Sequence, residues 1–335
     1  MNDTVSARAG HAHEDELAAR AAWLHFIGGL TQSEVARRLD LSVAKAHRHI
    51  ARAQDDGLVR IFVDVESADC ALLENRLIEG YGLGYCRVAM DAPEPGPLPL
   101  RALSAVGADF IQKAIESKAH EAIAFGNGRT LSACVDALPR MRTEGVAFVS
   151  LLGGLTRSFA ANPYDVIHKL AAKTGAESYL MPLPLFANSP EDREVMMAQT
   201  GVEATTDLIA RASLVVIGIG DASSEGGAAT ALARRGADDM ARLREAGARA
   251  ELLGRFVSAD GASMKTDLDA CVTSPDLAAL KGREVVAIAG GAQKTEAIEA
   301  ALKTGLLTGL IVDERTARTL VDRLEDAAQA ATAAE

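Results

Sequence analysis

The stretch AIAFGNGRT, residues 122–130, decides the fold class of this 335-residue chain. Its four apolar residues are typical of a fully buried strand, and the glycines after them end the strand in a turn before a helical stretch. Further apolar runs also end at glycine or aspartate, over residues 146–152, 214–217, 285–289 and 310–312. Continuous apolar strands that alternate with helices predict an α/β, Rossmann-like fold with a parallel sheet covered on both faces.

Ligands of such sheets bind at the carboxyl ends of the strands, where these glycine turns lie. The first turn consists of Gly126, Asn127, Gly128, Arg129 and Thr130. Backbone N–H groups, a helix N-terminus, a guanidinium and a hydroxyl can together surround an anion. The turn is not a Walker A loop, so nucleoside triphosphate hydrolysis is not indicated. A glycine turn of this kind can also be purely structural, and its spacing leaves both interpretations open.

Other turns supply further candidates for the same pocket. Lys294 stands at the start of a helix, four residues after Gly290, and is either a second cation for the anion or a solvated lysine. Asp221 or Glu251 can accept hydrogen bonds from sugar hydroxyls, although either can equally be a surface acid. The remaining residues that we expect to line the rim are Gly153, Gly154, Arg157 and Gly220.

Two short helices near the N-terminus form a second predicted site. Thr31 can cap the first of them, with Glu34 completing a capping box. Asp40 follows at a turn position that favours a left-handed residue, and Asp adopts that conformation more readily than most. Ser42 then caps a second helix, which we expect to run over residues 43–55.

The second helix carries Ala46, Ile50 and Ala53 as an inward stripe and has a polar, basic outer face, the pattern of a helix-turn-helix. A helical hairpin with a solvated basic face is the alternative. Trp23, Phe26 and His49 are predicted to be packing residues. The predicted DNA-binding residues are Val43, Ala44, Lys45, His47 and Arg48 near base edges, Arg37, Arg38 and Arg52 at phosphates, and Thr31, Gln32 and Ser42 at the helix starts.

Charge is distributed in keeping with DNA binding at one end of the chain. The net charge is −11, which opposes contact with phosphate over most of the surface. Between Thr31 and Arg52, however, five basic residues stand against two acidic ones. A small basic region on an acidic body is typical of a protein whose DNA contact is confined to one domain.

Three regions follow from these patterns: a mobile tail over 1–13, a helix-turn-helix domain over 14–66 that ends in a β segment at 59–65, and an effector domain over 67–335. The tail lacks the apolar core of a signal peptide, and the four cysteines are scattered without metal-binding spacing. We therefore expect a cytoplasmic protein with reduced thiols and with no metal or cofactor.

The chain resembles the SorC/DeoR-type sugar-sensing regulators. Segments that carry the resemblance are 29–32, 125–130, 150–154, 181–184, 216–220, 254–256, 289–291 and 312–314. The resemblance implies a winged helix-turn-helix, a sensor domain similar to the sugar-phosphate isomerase fold, a dimer or tetramer, and a phosphorylated sugar-like effector. The sequence departs from the family pattern at Asp40, Val43, Ala250-Glu251 and Ser258, and the last two leave the hydroxyl-binding carboxylate open.

These observations predict a transcription regulator, with repression the commoner mode, of a carbohydrate or polyol operon that responds to a phosphorylated effector. One alternative is a sugar-phosphate isomerase or deaminase with an accessory DNA-binding head. Glu251, Asp260 and Lys294 are available as its acids or bases. A DNA-binding protein without a ligand is a third interpretation, but it leaves the glycine-ended strands without a purpose.

Overall fold

A computed structural model describes residues 14–56, 58–59, 67–154, 165–222 and 237–334. The chain divides into two compact units, Met1–Val65 and Glu66–Glu335. The predicted tail at 1–13, the predicted β segment after Val59, and Arg157 lie outside the described residues.

The N-terminal unit is helical, and its helices begin where the sequence predicts. Thr31 Oγ1 accepts the Glu34 N–H at 3.3 Å, and the Glu34 carboxylate accepts the Thr31 N–H at 2.8 Å, which confirms the capping box. Ser42 caps the next helix, and Asp40 has the expected left-handed φ of 54°. The helices are α1 over 14–22, which continues into a π-helical turn over Trp23–Ile27, α2 over Gln32–Arg38, and α3 over Val43–Asp55.

A small apolar core joins these helices. Ala46 and Ile50 of α3 pack with Val35 of α2 in it, as the inward stripe predicts. The prediction that Trp23 is a core residue is wrong, because its side chain is 66% exposed. The buried stripe of α1 includes Ala22, and consecutive helical residues point about 100° apart, so Trp23 turns towards solvent.

The C-terminal unit contains a seven-stranded sheet made of β1 Tyr85–Ala89, β2 Ala122–Phe125, β3 Ala147–Ser150, β4 Ser178–Tyr179, β5 Leu214–Ile217, β9 Glu284–Ile288 and β10 Gly309–Asp313. Every pair of neighbours in it is parallel, in the order β1-β10-β9-β5-β2-β3-β4. This confirms the predicted α/β fold. The helices are α4 Ala68–Tyr81, α5 Leu100–Glu116, α6 Arg129–Ala137, α7 Val166–Thr174, α8 Pro190–Met197, α9 Thr200–Arg211, α10 Ala237–Glu245, α11 Thr295–Lys303 and α12 Glu314–Ala334.

Both faces of the sheet are buried, which explains why the strands are apolar throughout. In β2, Ala122 and Ala124 belong to one hydrophobic core, whereas Ile123 and Phe125 belong to the other. Successive side chains of a strand point to opposite faces, so a strand between two helical layers needs an apolar residue at every position.

A second, antiparallel sheet follows the carboxyl end of β5. It consists of β6 Gly220–Asp221, β7 Ala248–Leu252 and β8 Arg255–Ser258. In its register Gly220 pairs with Glu251 and Asp221 pairs with Ala250. The small sheet therefore brings both candidate hydroxyl-binding acids to one end of the large sheet.

Candidate functional site

The first site is the outer face of α3. The residues predicted to approach base edges are all exposed there: Val43, Ala44, Lys45, His47 and Arg48. Ala46, Ile50 and Ala53 of the same helix are buried, and His49 is half-buried, as predicted. An α-helix presented in this way fits the major groove of B-DNA.

Four cations near this face are available for a polyanion. In the described part of the chain, no carboxylate lies within ion-pair distance of Arg37, Arg38, Lys45 or Arg48. Thr31 and Ser42 use their hydroxyls as helix caps, and the bond from the Thr31 N–H is the main cause that lowers the pKa of Glu34. Gln32 is half-buried at the start of α2.

Arg52 is differently placed from its predicted role as a phosphate contact. Its guanidinium pairs with Glu14 at 2.6 Å, Asp15 at 2.5 Å and Asp56 at 3.1 Å. Hydrogen bonding to Asp56 and Glu14 raises the pKa of Arg52 above its usual range. Because three carboxylates already surround this cation, the structure favours a role in tying α3 to α1, which the sequence alone did not suggest.

The second site lies at the carboxyl ends of β2, β5 and β9, which are neighbours in the sheet. Gly126 is buried, and its N–H donates to the Val216 carbonyl at 2.8 Å. Gly128 has a φ of 140°, which requires glycine, and precedes α6, so no side chain caps the first N–H groups of that helix. The loop thus leaves a helix N-terminus open to an anion.

Side chains of the same loop also lie at this end of the sheet. Arg129 is exposed and Thr130 is buried in the first turn of α6. The Oδ1 atom of Asn127 is buried and has no hydrogen-bond partner among the described residues. A buried acceptor without a partner is costly, so a donor from a ligand or from water is expected at this atom.

Lys294 joins this site from the turn after β9. Its Nζ donates to the Ile219 carbonyl, which follows β5, at 2.7 Å. Burial lowers the pKa of Lys294 and Arg129 lowers it further, whereas Glu251 and Asp221 oppose that shift. The structure therefore brings the two predicted cations within electrostatic reach of each other, together with both candidate acids.

Glu251 faces the same cluster from β7. Its carboxylate accepts the Gly254 N–H and packs so closely on Gly220 that a Cβ there would collide with it. Burial raises the pKa of Glu251, while the Gly254 bond and Lys294 act in the opposite direction. A carboxyl that is held in place in this way can bind a hydroxyl of a ligand.

Asp221 lies at the edge of a neighbouring cleft of about 440 Å³. The other polar side chains of that cleft come from five separate segments of the chain, so no sequence pattern signalled them: Arg244, Arg249, Gln293, Thr295, Glu296, Thr319 and Arg323. Arg323 pairs with Glu299 at 2.8 Å, and this ion pair connects α12 to α11 beside the cleft.

Gly153 and Gly154, predicted to line the rim, have a packing role. A Cβ on Gly153 would collide with the Leu183 carbonyl oxygen, and the Gly154 N–H donates to that oxygen at 2.6 Å. Asp260 is exposed and accepts from Ser258 and Ala262, and its charge interacts with Lys303 rather than with the cluster at Lys294. One of the three candidate catalytic groups is therefore absent from the cluster.

No group of three metal-binding side chains occurs in the described ranges. All four cysteines are buried and unbridged, and burial raises the pKa of Cys86 and Cys134 to about 12, so these thiols stay protonated. Within the described residues, none of the helices has the length and apolarity that crossing a membrane requires.

Two family models match the chain, in the order of its two units. A winged helix-turn-helix DNA-binding model matches residues 28–60, and a sugar-binding domain model matches residues 65–322. The second match covers more than half of the chain and includes both the loop at 126–130 and Lys294.

Two transcription regulators match this chain over nearly its whole length. The erythritol catabolism regulatory protein EryD of Brucella abortus is 48% identical over 92% of this chain and 97% of its own. The transcriptional regulator LsrR of Enterobacter sp. strain 638 is 30% identical over 92% and 93%. Because these relatives are named as regulators, they favour the regulator over the enzyme as the correct interpretation.

Solved structures agree in fold. The full-length sorbitol operon regulator SorC from Klebsiella pneumoniae superposes with a TM-score of 0.68 at 24% identity, over 92% of this chain and 99% of that one. The relatives therefore cover both units of this chain in sequence, and the SorC structure covers both in fold. The chain belongs to the SorC/DeoR-type family of sugar-binding transcriptional regulators.

Proposed function

We propose that this protein is a homo-oligomeric repressor of a polyol catabolic operon and that a phosphorylated polyol releases it from its operator. The observation that carries the proposal is the cluster at the carboxyl end of the sheet. There Arg129 and Lys294 lie near an uncapped helix N-terminus and beside the two carboxylates Asp221 and Glu251.

The cations of this cluster suit a phosphate group. A phosphate accepts hydrogen bonds from the N–H groups at the start of α6, from the Arg129 fork and from the Lys294 ammonium. Burial lowers the pKa of Lys294, and an anion beside it would raise that pKa again. The site therefore gains more from a dianionic phosphate than from a neutral sugar.

The polar groups around the cations suit hydroxyls. Asn127 Oδ1 needs a donor, and the Asp221 and Glu251 carboxyls can accept from further hydroxyls. A phosphorylated polyol supplies both the anion and a row of donors. The name of the 48% identical relative, a regulator of erythritol catabolism, supports a four-carbon polyol phosphate as the first effector to try.

Operator binding is assigned to α3. Its exposed N-terminal residues, Lys45 among them, are proposed to read bases, with Arg37 and Arg38 at phosphates. An effector that prefers one arrangement of the subunits would change operator affinity by coupling of about 1–3 kcal/mol, which is roughly five- to 150-fold. The direction that we propose is release of DNA by the effector.

The proposal is tested by fluorescence anisotropy with duplexes from the region around the gene, titrated with and without erythritol phosphate. Unphosphorylated erythritol is the control for the phosphate, and a panel of sugar phosphates is the control for the polyol. Binding to one duplex that weakens only with a phosphorylated compound is the expected result. A protein that binds none of the duplexes under any of these conditions would refute the proposal.

Two variants separate the sites. Arg48→Ala should weaken specific operator binding but leave the effector-induced shift in melting temperature intact. Arg129→Ala should abolish the effector-induced shift in melting temperature but leave specific operator binding intact. At about a hundredfold its Kd, a ligand that binds only the folded protein adds about 2.7 kcal/mol to stability, which a thermal shift readily detects. An Arg129→Ala protein that still releases DNA at the wild-type effector concentration would contradict the pocket assignment.

A further inference from the structure

A second cavity of about 240 Å³ lies in the C-terminal unit between α8, α9 and the segment before β9. Its apolar wall consists of Met181, Met197, Ile209 and Leu280. Of these, Met181, Ile209 and Leu280 are buried. The cavity therefore has an apolar lining that can hold the aliphatic part of a small molecule.

Three arginines line the same cavity, and each is held by backbone carbonyls. Arg193 Nε donates to the Val272 carbonyl at 2.5 Å, and Arg283 Nη1 donates to the Ile209 carbonyl at 2.6 Å. Arg255 donates to the carbonyls of residues 274 and 275 and pairs with Asp269 at 3.5 Å. These bonds position the guanidinium groups before any ligand arrives.

The positive charge of the cavity is only partly neutralised. Asp269 pairs with Arg255, but neither Arg193 nor Arg283 has a carboxylate within ion-pair distance in the ranges described. Asp276 is the acidic side chain among the described lining residues, and it caps the turn that begins at Leu277 by accepting the Ala278 N–H. Each of the two half-buried guanidinium groups therefore has N–H donors left over for an anion.

The cavity is separate from the effector cluster. Ile209 and Arg283 flank the amino ends of β5 and β9, whereas Ile219 and Lys294 follow the carboxyl ends of the same strands. A ligand here would not compete directly with the phosphorylated effector, and the inference does not depend on the proposed function.

We infer that this cavity is a second ligand site, which binds a small aliphatic carboxylate. Two guanidinium forks match the two oxygens of a carboxylate, and the apolar wall matches a short hydrocarbon chain. The cavity of about 240 Å³ has room for a short aliphatic carboxylate. Pentanoate, with seven non-hydrogen atoms, is a fitting probe.

The test is isothermal titration of the full-length protein with sodium pentanoate. We expect saturable binding of one pentanoate per chain, at least about tenfold tighter than binding of 1-pentanol, since charge-assisted hydrogen bonds to arginine are lost with the alcohol. Sodium sulfate should bind at least about tenfold more weakly, because it makes no use of the apolar wall.

Variants locate the binding. Arg283→Met should weaken pentanoate binding about tenfold or more, whereas Arg211→Met, at an exposed arginine of α9 that does not line the cavity, should leave it unchanged. Arg283 also holds the Ile209 carbonyl, so a second variant leaves the arginines in place. Ala279→Phe adds a ring at an exposed residue of the lining and should also block binding.

Three results would overturn the inference. One is an absence of saturation with pentanoate, and another is equal affinity for sulfate, which would make this a site for inorganic anions. The third is wild-type affinity in both Arg283→Met and Ala279→Phe, which would place the carboxylate elsewhere on the protein.

Discussion

Replacing Lys294 by methionine tests the effector pocket most directly, because methionine keeps the aliphatic stem and removes the ammonium. One hydrogen bond between a charged donor and a phosphate contributes about 1.5–3 kcal/mol. At about 1.4 kcal/mol per tenfold change in affinity, Lys294→Met should raise the effector Kd roughly 10- to 140-fold. The free energy of operator binding without effector should not change.

The stability of the free protein should change little in this variant. Lys294→Met loses the bond from the charged Nζ to the Ile219 carbonyl, which contributes about 1.5–3 kcal/mol. Burial lowers the pKa of Lys294, which means that the fold disfavours the charged ammonium. Removing that charge stabilises the variant and offsets the loss of the hydrogen bond. We expect the melting temperature to stay within about 4 °C of the wild type.

The assay is isothermal titration with the effector, checked by anisotropy of a labelled operator. Lys303→Met is the matched control, because Lys303 ends the helix that begins directly after Lys294 and pairs on the surface with Glu299 at 2.6 Å. An effector Kd for Lys294→Met within about threefold of the Lys303→Met value would refute the assignment, since even the weakest charged bond corresponds to about tenfold.

Three further predictions concern other parts of the molecule. Arg48→Ala should weaken operator binding roughly tenfold to hundredfold relative to random DNA. Arg52→Ala should mainly lower the melting temperature, because the Arg52 guanidinium joins α3 to α1. Equal losses of sequence specificity for the two variants in competition anisotropy would contradict these separate roles. Gly153→Ala should destabilise the protein by about 1–3 kcal/mol in urea unfolding, because the added Cβ would collide with the Leu183 carbonyl. A urea midpoint equal to that of the wild type would show that this loop relaxes freely. The pKa of Glu251 is raised in the fold, so the wild type loses stability as pH rises from about 4.5 through that pKa. In thermal melts from pH 4 to 8, the stability of Glu251→Gln should therefore rise relative to that of the wild type. A difference in stability that does not change with pH would disprove this prediction.

Local signals predicted much of the N-terminal unit. Thr31, Ser42 and Asp40 act through bonds and torsions within a few residues of themselves, so their roles could be inferred from neighbouring residues alone. Trp23 and Arg52 could not be assigned in this way. The exposure of Trp23 depends on which side of α1 packs, and the partners of Arg52 at Glu14 and Asp15 lie more than 35 residues away.

The sequence by itself determined that five buried strands alternate with helices, that both faces of their sheet are covered, and where the glycine turns lie. Those features follow from apolar periodicity and backbone preference, which act over short distances along the chain. Only the tertiary structure decided that Lys294, Arg129, Glu251 and Asp221 share one cluster, that Gly153 serves packing, and that three distant arginines surround a second cavity. The physical reason is that charge interactions and close packing depend on distance in space, which the order of strands in the sheet sets and the linear sequence does not.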